Sequence, residues 1–534
     1  MRLAVASFAC ISALSWHLGY PFKFSLMLFH EKTFVLCLVF IFAFVRTEAE
    51  AQTNEAFQLE ENQEILGGSG PEVSQISTAT VTLSMSTSPN DGGLDTRNSL
   101  LGDAFGLRSW LGKYGVTLSI NEIDELWGNA TGGIRRKAAY NGVTSMTLTA
   151  DLSKSIGLED GLFNVSGLQI HGQPFTISTH LGVLNPTSGF EASLSTRLFE
   201  LWYQQAFLDH RLDVKIGQID LDSEFIISQY ASLFLNASFG WPLAPSIILY
   251  SGGPSWPLAA PGIRLRYRPD EQLTLMFAAT NDNPSGHAFR NAFDPSNQTV
   301  HPAGNNFNLN TGAFLIGEVQ FAVNSQDIDD PSKAGGLSSF VGGLPGIYRL
   351  GGFYDTASFL DQRYDTQGVP LASPDSNGEP MPHKGNWMLY GIMDQMLWRP
   401  SHYSPTALGL FIRATGNGGD RNVVTVGVDA GLTLKAPFEG RDNDTFGVGW
   451  GMGQISTRAR GFDWDMLDAS GGSYPIRGAE HRLEITYQAQ VAPWLIVQPD
   501  IQYVWNPGGG VPNPLTGAKI GDELIFGIHT SVAF

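Results

Sequence analysis

The chain has 534 residues, of which 43% are hydrophobic and 16% are charged, and its formal net charge is -19 at pH 7. Its mean hydropathy is close to zero, which excludes a membrane protein built from several spanning helices, since each such helix needs about 20 mostly apolar residues. The excess of acids argues against nucleic acid as a partner, because binding nucleic acid relies on cationic surface. The length allows two or three ordinary domains or one large barrel.

The N-terminal segment has the pattern of a signal peptide. The apolar run Phe34–Val45 is twelve residues long, which suits a signal-peptide core and is too short for a spanning helix. Lys32 precedes this run, and Ala49-Glu50-Ala51 follows it as a small-x-small cleavage pattern. We therefore predict a signal peptide over residues 1–51, with Met27 as an alternative start that would make the preceding residues an extension.

The mature chain would contain no cysteine, because Cys10 and Cys37 both lie in the predicted signal peptide. Disulfides and cysteine-based metal or catalytic sites are then excluded. Residues 52–100 are rich in small and polar residues, which predicts a flexible periplasmic lead-in. Leu101–Gly115 is expected to contain a short helix, and residues 101–534 to form a single domain.

The rest of the chain alternates apolar and polar residues as membrane strands do. The last strand, Asp522–Phe534, puts Phe526 and Ile528 on one face and Glu523 and His529 on the other. Roughly 16 to 18 such segments follow one another, most of about ten residues, the length of a tilted spanning strand. The pattern predicts an all-β fold: a transmembrane antiparallel β-barrel of about 16 strands, preceded by a short periplasmic segment that is helical or flexible.

The connections between these segments support the barrel. Tight turns at Arg268–Glu271 and Ala492–Trp494 contrast with long polar loops at Asn281–Gly312, Asp355–Gly385 and Arg458–Ala479. Short turns on one rim and long loops on the other are typical of outer-membrane barrels. A soluble sandwich or propeller would show the same alternation with its apolar face turned inward, but no repeat of about 40 residues is visible, which argues against a propeller.

Charged residues that face the lumen are the candidates for contact with a solute. Arg264, Arg266 and Arg268 share one face of a strand whose other face is apolar, although Arg268 could instead end the strand at headgroup level. Glu200 and Trp202 share a face of another strand. We expect that face to be luminal, with a paired wall charge as the alternative for Glu200.

A second group of candidates follows a strand that ends near Gln218. Asp220, Asp222 and Glu224 come directly before Phe225–Phe239, a stretch too apolar for an exposed loop. We predict that this stretch folds back into the barrel and narrows it, with the acids and Trp241 near the constriction. The alternative is a loop packed at the rim.

The third candidate lies in the basic cluster 135–137 at the start of another strand, where Arg136 either reaches the lumen or binds lipopolysaccharide phosphates at a rim. The candidate pore-lining residues are therefore Arg136, Glu200, Asp220, Asp222, Glu224, Trp241, Arg264 and Arg266.

Motifs of enzymes and cofactor sites are missing or weak. The sequence contains no HExxH and no Gly-x-Ser-x-Gly, and Gly447–Gly453 lacks the spacing of a dinucleotide-binding loop. Asp463 and Asp465 could suggest a glycosidase pair, but a solvated loop explains them better. We predict no catalytic residues, no cofactor and no metal.

Several segments, in order along the chain, resemble the OprB family of carbohydrate-selective porins. The resemblance is carried by Leu101–Gly115, Gly132–Arg136, Arg197–Gln205, Lys215–Phe225, Leu233–Pro242, Pro257–Arg264, Glu484–Gln490 and Gln498–Gly508. It covers about residues 101–534, whereas the first hundred residues do not match. The resemblance implies a 16-stranded outer-membrane barrel that passes glucose and related sugars by diffusion, and it makes the candidates above sugar-contact residues.

The implied partners are small sugars, outer-membrane lipid and lipopolysaccharide. The barrel-assembly machinery is a further expected partner, because a terminal aromatic such as Phe534 on an amphipathic strand is the feature it would recognise. A monomer and a homo-oligomer both remain open. The alternatives are an outer-membrane barrel enzyme, such as a lipid hydrolase, and an exported sugar-binding β-rich protein.

Overall fold

The structure, a computed structural model, describes residues 93–94, 96–173, 176–285, 300–324, 343–401 and 404–534, all within the unit Phe57–Phe534. The predicted signal peptide and most of the predicted lead-in lie outside these residues. The strands of the described part are β1 (Val116–Thr131), β2 (Ala138–Asp151), β3 (Gly161–Gly172), β4 (Ser195–Phe207), β5 (Leu212–Ile219), β6 (Ala260–Tyr267), β7 (Leu273–Asn281), β8 (Ala313–Val323), β9 (Gly346–Asp365), β10 (Pro380–Trp398), β11 (Ala407–Asn417), β12 (Val424–Lys435), β13 (Thr445–Ile455), β14 (Ala479–Ala492), β15 (Leu495–Trp505) and β16 (Glu523–Ala533).

These sixteen strands close into one antiparallel barrel. Each strand pairs with its neighbours in sequence, and β1 pairs with β16 from Asn121 opposite Ala533 to Thr131 opposite Leu524. Closure leaves no strand edge unpaired, which a sheet in lipid requires because the bilayer offers no water to backbone N–H and C=O groups. The predicted all-β barrel of about 16 strands is confirmed.

The two faces of the wall differ as predicted. On β16, Phe526 and Ile528 are exposed, whereas Glu523 and His529 are buried. On β6, Ile263 is exposed and the neighbouring Arg264 is buried. Apolar side chains therefore cover the outside of the barrel and polar ones fill the inside, so the soluble sandwich is wrong.

Connections that follow odd-numbered strands lie on one rim, called here the long-loop rim, and those that follow even-numbered strands lie on the short-turn rim. The long-loop rim carries the connections 173–194, 220–259, 282–312, 456–478 and 506–522. The short-turn rim carries the tight turns 208–211, 268–272 and 493–494, together with a longer connection between the end of β8 at Val323 and the start of β9 at Gly346. The predicted loop Asp355–Gly385 is too long, since β9 runs to Asp365 and β10 begins at Pro380.

The helices are short and lie between strands or before them. In the described part of the chain the α-helices are α1 (Leu107–Gly112), α2 (Leu152–Ile156), α3 (Thr176–Leu181), α4 (Leu243–Ile248) and α5 (Thr457–Ala469). The predicted helix within Leu101–Gly115 is thus present as α1. Among the described residues, no helix is both long and apolar enough to span a membrane.

The helix α1 meets the seam where the barrel closes. Arg108 of α1 donates to the Leu118 carbonyl of β1 at 3.3 Å and also to the carbonyl of Phe534. The Phe534 amide donates in turn to the Ile120 carbonyl at 2.9 Å. The helix α1 and the residue that follows β16 are therefore both bound to the same stretch of β1.

Candidate pore constriction

The connection 220–259, between β5 and β6, enters the barrel and is called here the infolded segment. Phe225 and Trp241 are buried in one apolar cluster with Met276, Phe314 and Phe353, which are inward-facing residues of β7, β8 and β9. Burial of these side chains stabilises the segment inside the lumen. The predicted fold-back of Phe225–Phe239 is confirmed, and the alternative of a loop packed at the rim is wrong.

Polar side chains on the wall satisfy the backbone of the infolded segment. Glu318 of β8 accepts from the Ile226 amide at 3.0 Å, and Glu484 of β14 accepts from the amides of Leu235 and Asn236 at 2.6 and 3.0 Å. Buried backbone groups without such partners would be costly. The infolded segment is therefore fixed to the wall far from β5 and β6, which carry its two ends.

Arg413 of β11 provides the most connected of these anchors. Its guanidinium donates to the carbonyl oxygens of Ile226, Ser238 and Gly240, at 3.1 Å for Ile226. It also pairs with Asp429 of β12 at 3.2 Å. One fully buried cation thus holds two turns of the infolded segment and one neighbouring strand.

A charge network joins the infolded segment to β5 and β6. Arg264 pairs with Asp213 of β5 and with Glu224 of the segment, the latter at 2.5 Å from Nε to Oε2. Lys215 of β5 pairs with Glu224 as well, and Arg266 Nε lies 2.8 Å from Asp213 Oδ2. Arg264 is 1% exposed and Arg266 28%, so Arg266 is the more accessible of these two arginines. Arg268, which follows the last residue of β6, is 46% exposed and lies 4.0 Å from Asp213.

An aromatic ring and a carboxylate extend this network along β4. The Trp202 indole donates to Glu200 at 3.1 Å, and Lys215 Nζ lies 4.1 Å from the centre of the Trp202 ring. Gln204 accepts from Arg264 at 2.9 Å. Glu200, Trp202 and Gln204 are half-buried, so they place a flat ring and hydrogen-bonding groups beside the cations.

The acids of the infolded segment differ in protonation. Burial, with help from Asp222 and Glu200, raises the pKa of Asp220 well above its usual range. Burial would also raise the pKa of Glu224, but Lys215 and Arg264 outweigh it and hold that pKa below its usual value. The folded protein therefore favours the protonated form of Asp220 and the ionised form of Glu224.

This difference predicts a loss of stability at high pH. Because the pKa of Asp220 is raised in the folded state, the folded protein binds more protons than the unfolded chain, and the free energy of unfolding falls as pH rises from the ordinary carboxyl pKa toward the raised value. The temperature of unfolding in detergent should decline over this range. Asp220→Asn, which carries a permanently neutral side chain, should show a flatter profile, and an unchanged slope in that variant would contradict the assignment.

Six of the eight predicted site residues lie together. Glu200, Asp220, Asp222, Glu224, Arg264 and Arg266 belong to this network or touch it. Three further residues contribute to the network and were not among the predicted ones: Asp213, Lys215 and Gln204. Asp213 and Lys215 alternate with the outward-facing residues of β5, and this was the signal that could have identified them.

The other two predicted residues lie elsewhere. Trp241 packs inside the infolded segment, where its indole donates to the Gly252 carbonyl at 2.9 Å, because its large apolar ring is more stable in the cluster than at a polar passage. It borders a small cavity with Asp222 and Ser228. Arg136 is exposed in the turn between β1 and β2 on the long-loop rim, outside the network.

The two aspartates considered for a glycosidase lie on α5 and are both paired with arginines. Asp463 is bound by Arg477 at 2.8 Å, and Asp465 by Arg363 at 2.7 Å through two parallel hydrogen bonds. These pairs give both carboxylates a structural role at the long-loop rim.

Comparison with known proteins agrees with this architecture. The family described as "Carbohydrate-selective porin, OprB family" matches residues 135–534, so the resemblance found in the sequence is confirmed for that range and the motif at Leu101–Gly115 lies before it. Porin B of Pseudomonas aeruginosa is 25% identical over 458 residues, which cover 82% of this chain and 91% of Porin B. The putative porin QuiX of Acinetobacter baylyi is 27% identical over 459 residues, or 81% of this chain and 93% of that protein.

The fold is also shared with a solved structure. The high-pH structure of Pseudomonas putida OprB superimposes with a TM-score of 0.69 at 22% identity, covering 82% of this chain and 99% of that one. The family and the fold indicate a channel rather than an enzyme. The chain belongs to the OprB family of carbohydrate-selective porins, and it is a β-barrel of the bacterial outer membrane.

Proposed function

We propose that the protein lets glucose and related neutral sugars diffuse passively through the passage between the infolded segment and the wall formed by β4, β5 and β6. The charge network at this wall carries the proposal. Three cationic groups, Lys215, Arg264 and Arg266, face two anionic ones, Asp213 and Glu224. Nearly balanced charges create no strong field that would favour ions of one sign, and the more accessible Arg266 can donate hydrogen bonds to sugar hydroxyls.

The half-buried Trp202 supports the same proposal, because a sugar ring can lie against a flat aromatic face while its hydroxyls meet polar groups. Arg266, Gln204 and Glu200 are also half-buried, so they can exchange water for sugar. Such contacts must stay weak, since conduction requires that the solute leave the site as easily as it enters.

The direct test is single-channel conductance of the purified protein in a planar bilayer, with and without glucose. We expect glucose to block the ion current in a concentration-dependent way. Glucose entry into liposomes that carry the protein should need no energy source. A conducting barrel that is insensitive to every sugar tried would refute the proposal.

Trp202→Ala provides a sharper version of this test. The ring contact should be lost while the charges remain, so glucose block should weaken several-fold and the ratio of cation to anion permeability should stay close to the wild-type value. Trp398→Ala is the matched control, since Trp398 is exposed at the short-turn end of β10 and should not affect block. Equal weakening in both variants would contradict a role for Trp202 in sugar contact.

The partners of the assembled barrel are part of the proposal. We propose that Arg136, which is exposed at the long-loop rim, binds lipopolysaccharide phosphates. We also propose that the barrel-assembly machinery recognises the amphipathic strand β16. A lipid hydrolase remains the weaker alternative, because no motif for a nucleophile supports it.

A further inference from the structure

The outer wall of β1–β3 carries polar side chains where an apolar surface is expected. On β1, Leu126 is exposed while its neighbours Glu125 and Trp127 are buried, so even-numbered residues of this strand face outward. Glu122 and Asp124 share that parity and therefore lie on the outer surface. Charged groups on the lipid side of a barrel are unfavourable, so this pair needs an explanation.

The neighbouring strands bring further polar groups to the same place. On β3, Leu168 and Ile170 pack inward, which turns Gln169 and His171 outward. The strand register then forms two rows across β1, β2 and β3. One row contains Asp124, Gly142 and His171, and the other contains Glu122, Thr144 and Gln169.

Three potential ligand atoms converge in these rows. His171 Nε2 lies 3.3 Å from Glu122 Oε1 and 3.8 Å from Asp124 Oδ1. Among the described residues, Glu122, Asp124 and His171 form a group whose ligand atoms all lie within 4.8 Å of one another. The Tyr140 hydroxyl also approaches, at 3.0 Å from His171 Nε2, and it donates its proton to Asp124.

The hydrogen bonds of His171 leave no positive charge between the two carboxylates when its ring is neutral. His171 Nδ1 lies 2.9 Å from the Gln169 side-chain oxygen, which can only accept, so Nδ1 carries the ring proton. In the neutral ring, the lone pair of Nε2 then faces two carboxylates and a hydroxyl oxygen whose proton is already used. A second group that orients the ring in this way is the usual arrangement of a metal-binding histidine.

Gly142 leaves the space that the His171 imidazole occupies. A Cβ at this position would lie 2.0 Å from His171 Nε2, a distance that no side chain tolerates. The absence of a side chain on β2 therefore lets a residue of β3 reach the carboxylates of β1 across the strand between them.

We propose that Glu122, Asp124 and His171 form a binding site for a divalent transition-metal ion of the Zn²⁺ class on the outer wall of the barrel. One nitrogen and two carboxylate oxygens are ligands that Zn²⁺ accepts, and tetrahedral bonds of about 2.1 Å separate ligand atoms by about 3.4 Å. Calcium and magnesium prefer all-oxygen sites and do not fit the histidine. The Tyr140 hydroxyl or a water would complete the coordination.

A bound ion would neutralise the two carboxylates and link β1 to β3 across β2, next to the seam with β16. The competing explanation is a proton on Nε2, which would make His171 itself the counterion. The two explanations differ in whether a metal is bound.

The test uses the full-length chain without a polyhistidine tag, purified in detergent, stripped of metal with a chelator and dialysed against Zn²⁺. Bound zinc is measured by atomic emission, and folding by heat-modifiable gel mobility. We expect about one Zn²⁺ per chain in the wild type and at least a tenfold weaker affinity in His171→Asn and in Gly142→Ala.

His481→Asn is the matched control, because His481 of β14 also faces outward but stacks on Trp450 instead of meeting carboxylates. This variant should bind zinc like the wild type. A folded wild type that binds no zinc, or an unchanged affinity in both His171→Asn and Gly142→Ala, overturns the proposal.

Discussion

Arg413→Met should enlarge the conducting path and abolish sugar selectivity. The guanidinium of Arg413 is fully buried and donates to three carbonyl oxygens of the infolded segment. Methionine keeps much of the side-chain volume but leaves those carbonyl groups without this donor, while Asp429 keeps Arg482 as its partner at 3.2 Å. A buried carbonyl group left without a hydrogen-bond donor costs about 1–3 kcal/mol, so the loss at three carbonyl groups is enough to release that part of the segment from the wall.

The measurement is single-channel conductance together with block by glucose. We expect a higher and noisier conductance and a loss of block, while heat-modifiable mobility shows that the sixteen-stranded barrel is intact. The control is Arg441→Met, because Arg441 is half-exposed on the short-turn rim and pairs with Asp444, away from the infolded segment. Wild-type conductance and block in Arg413→Met would show that other anchors suffice.

Glu224→Gln should shift ion selectivity toward anions and weaken sugar block. Glu224 is the carboxylate that Lys215 and Arg264 share, so its replacement removes one of the two carboxylates that pair directly with the three cations and leaves Asp213 as the other. Without Glu224 the cations it holds are free to shift. One charged hydrogen bond to the sugar lost through this shift would cost about 1.5 kcal/mol, which corresponds to about a tenfold weaker block by glucose. The reversal potential in a salt gradient reports the change in selectivity.

The double variant Lys215→Gln/Glu224→Gln provides the control for charge. It removes one cation and one anion together, so the reversal potential should return toward the wild-type value, whereas glucose block should stay weak because two hydrogen-bonding charges are missing. A reversal potential that does not move in Glu224→Gln alone would contradict the placement of this network at the passage. The comparison of single and double variants separates charge from contact geometry.

The alternation of residues was sufficient to predict the wall. Phe526 and Ile528 against Glu523 and His529 on β16 follow from the two-residue period of a strand, which is a local property. The fold-back of Phe225–Phe239 could also be predicted, because so apolar a stretch between two spanning strands has few places to bury its side chains.

The pairing of charges could not be predicted in the same way. The alternation of inward and outward residues along each strand places Asp213, Lys215, Glu318 and Arg413 inside the barrel. It does not determine which of these inward charges form pairs. That depends on the stagger between strands and on the path of the infolded segment, so residues 187 positions apart, such as Ile226 and Arg413, become partners. Trp241 shows the same limit, since its position in the chain suggested a place at the passage and its apolar surface instead took it into the cluster.

The outer wall of β1–β3 shows which properties follow from the sequence and which follow only from the tertiary structure. The sequence alone determined the class of fold, the number of strands to within two, the two faces of the wall and the family, because these depend on local periodicity and on motifs in order along the chain. Only the tertiary structure decided that Glu122, Asp124 and His171 converge, and that Glu224 joins Lys215 to Arg264. Such contacts arise from strand register and barrel closure, which bring together residues that no local pattern relates.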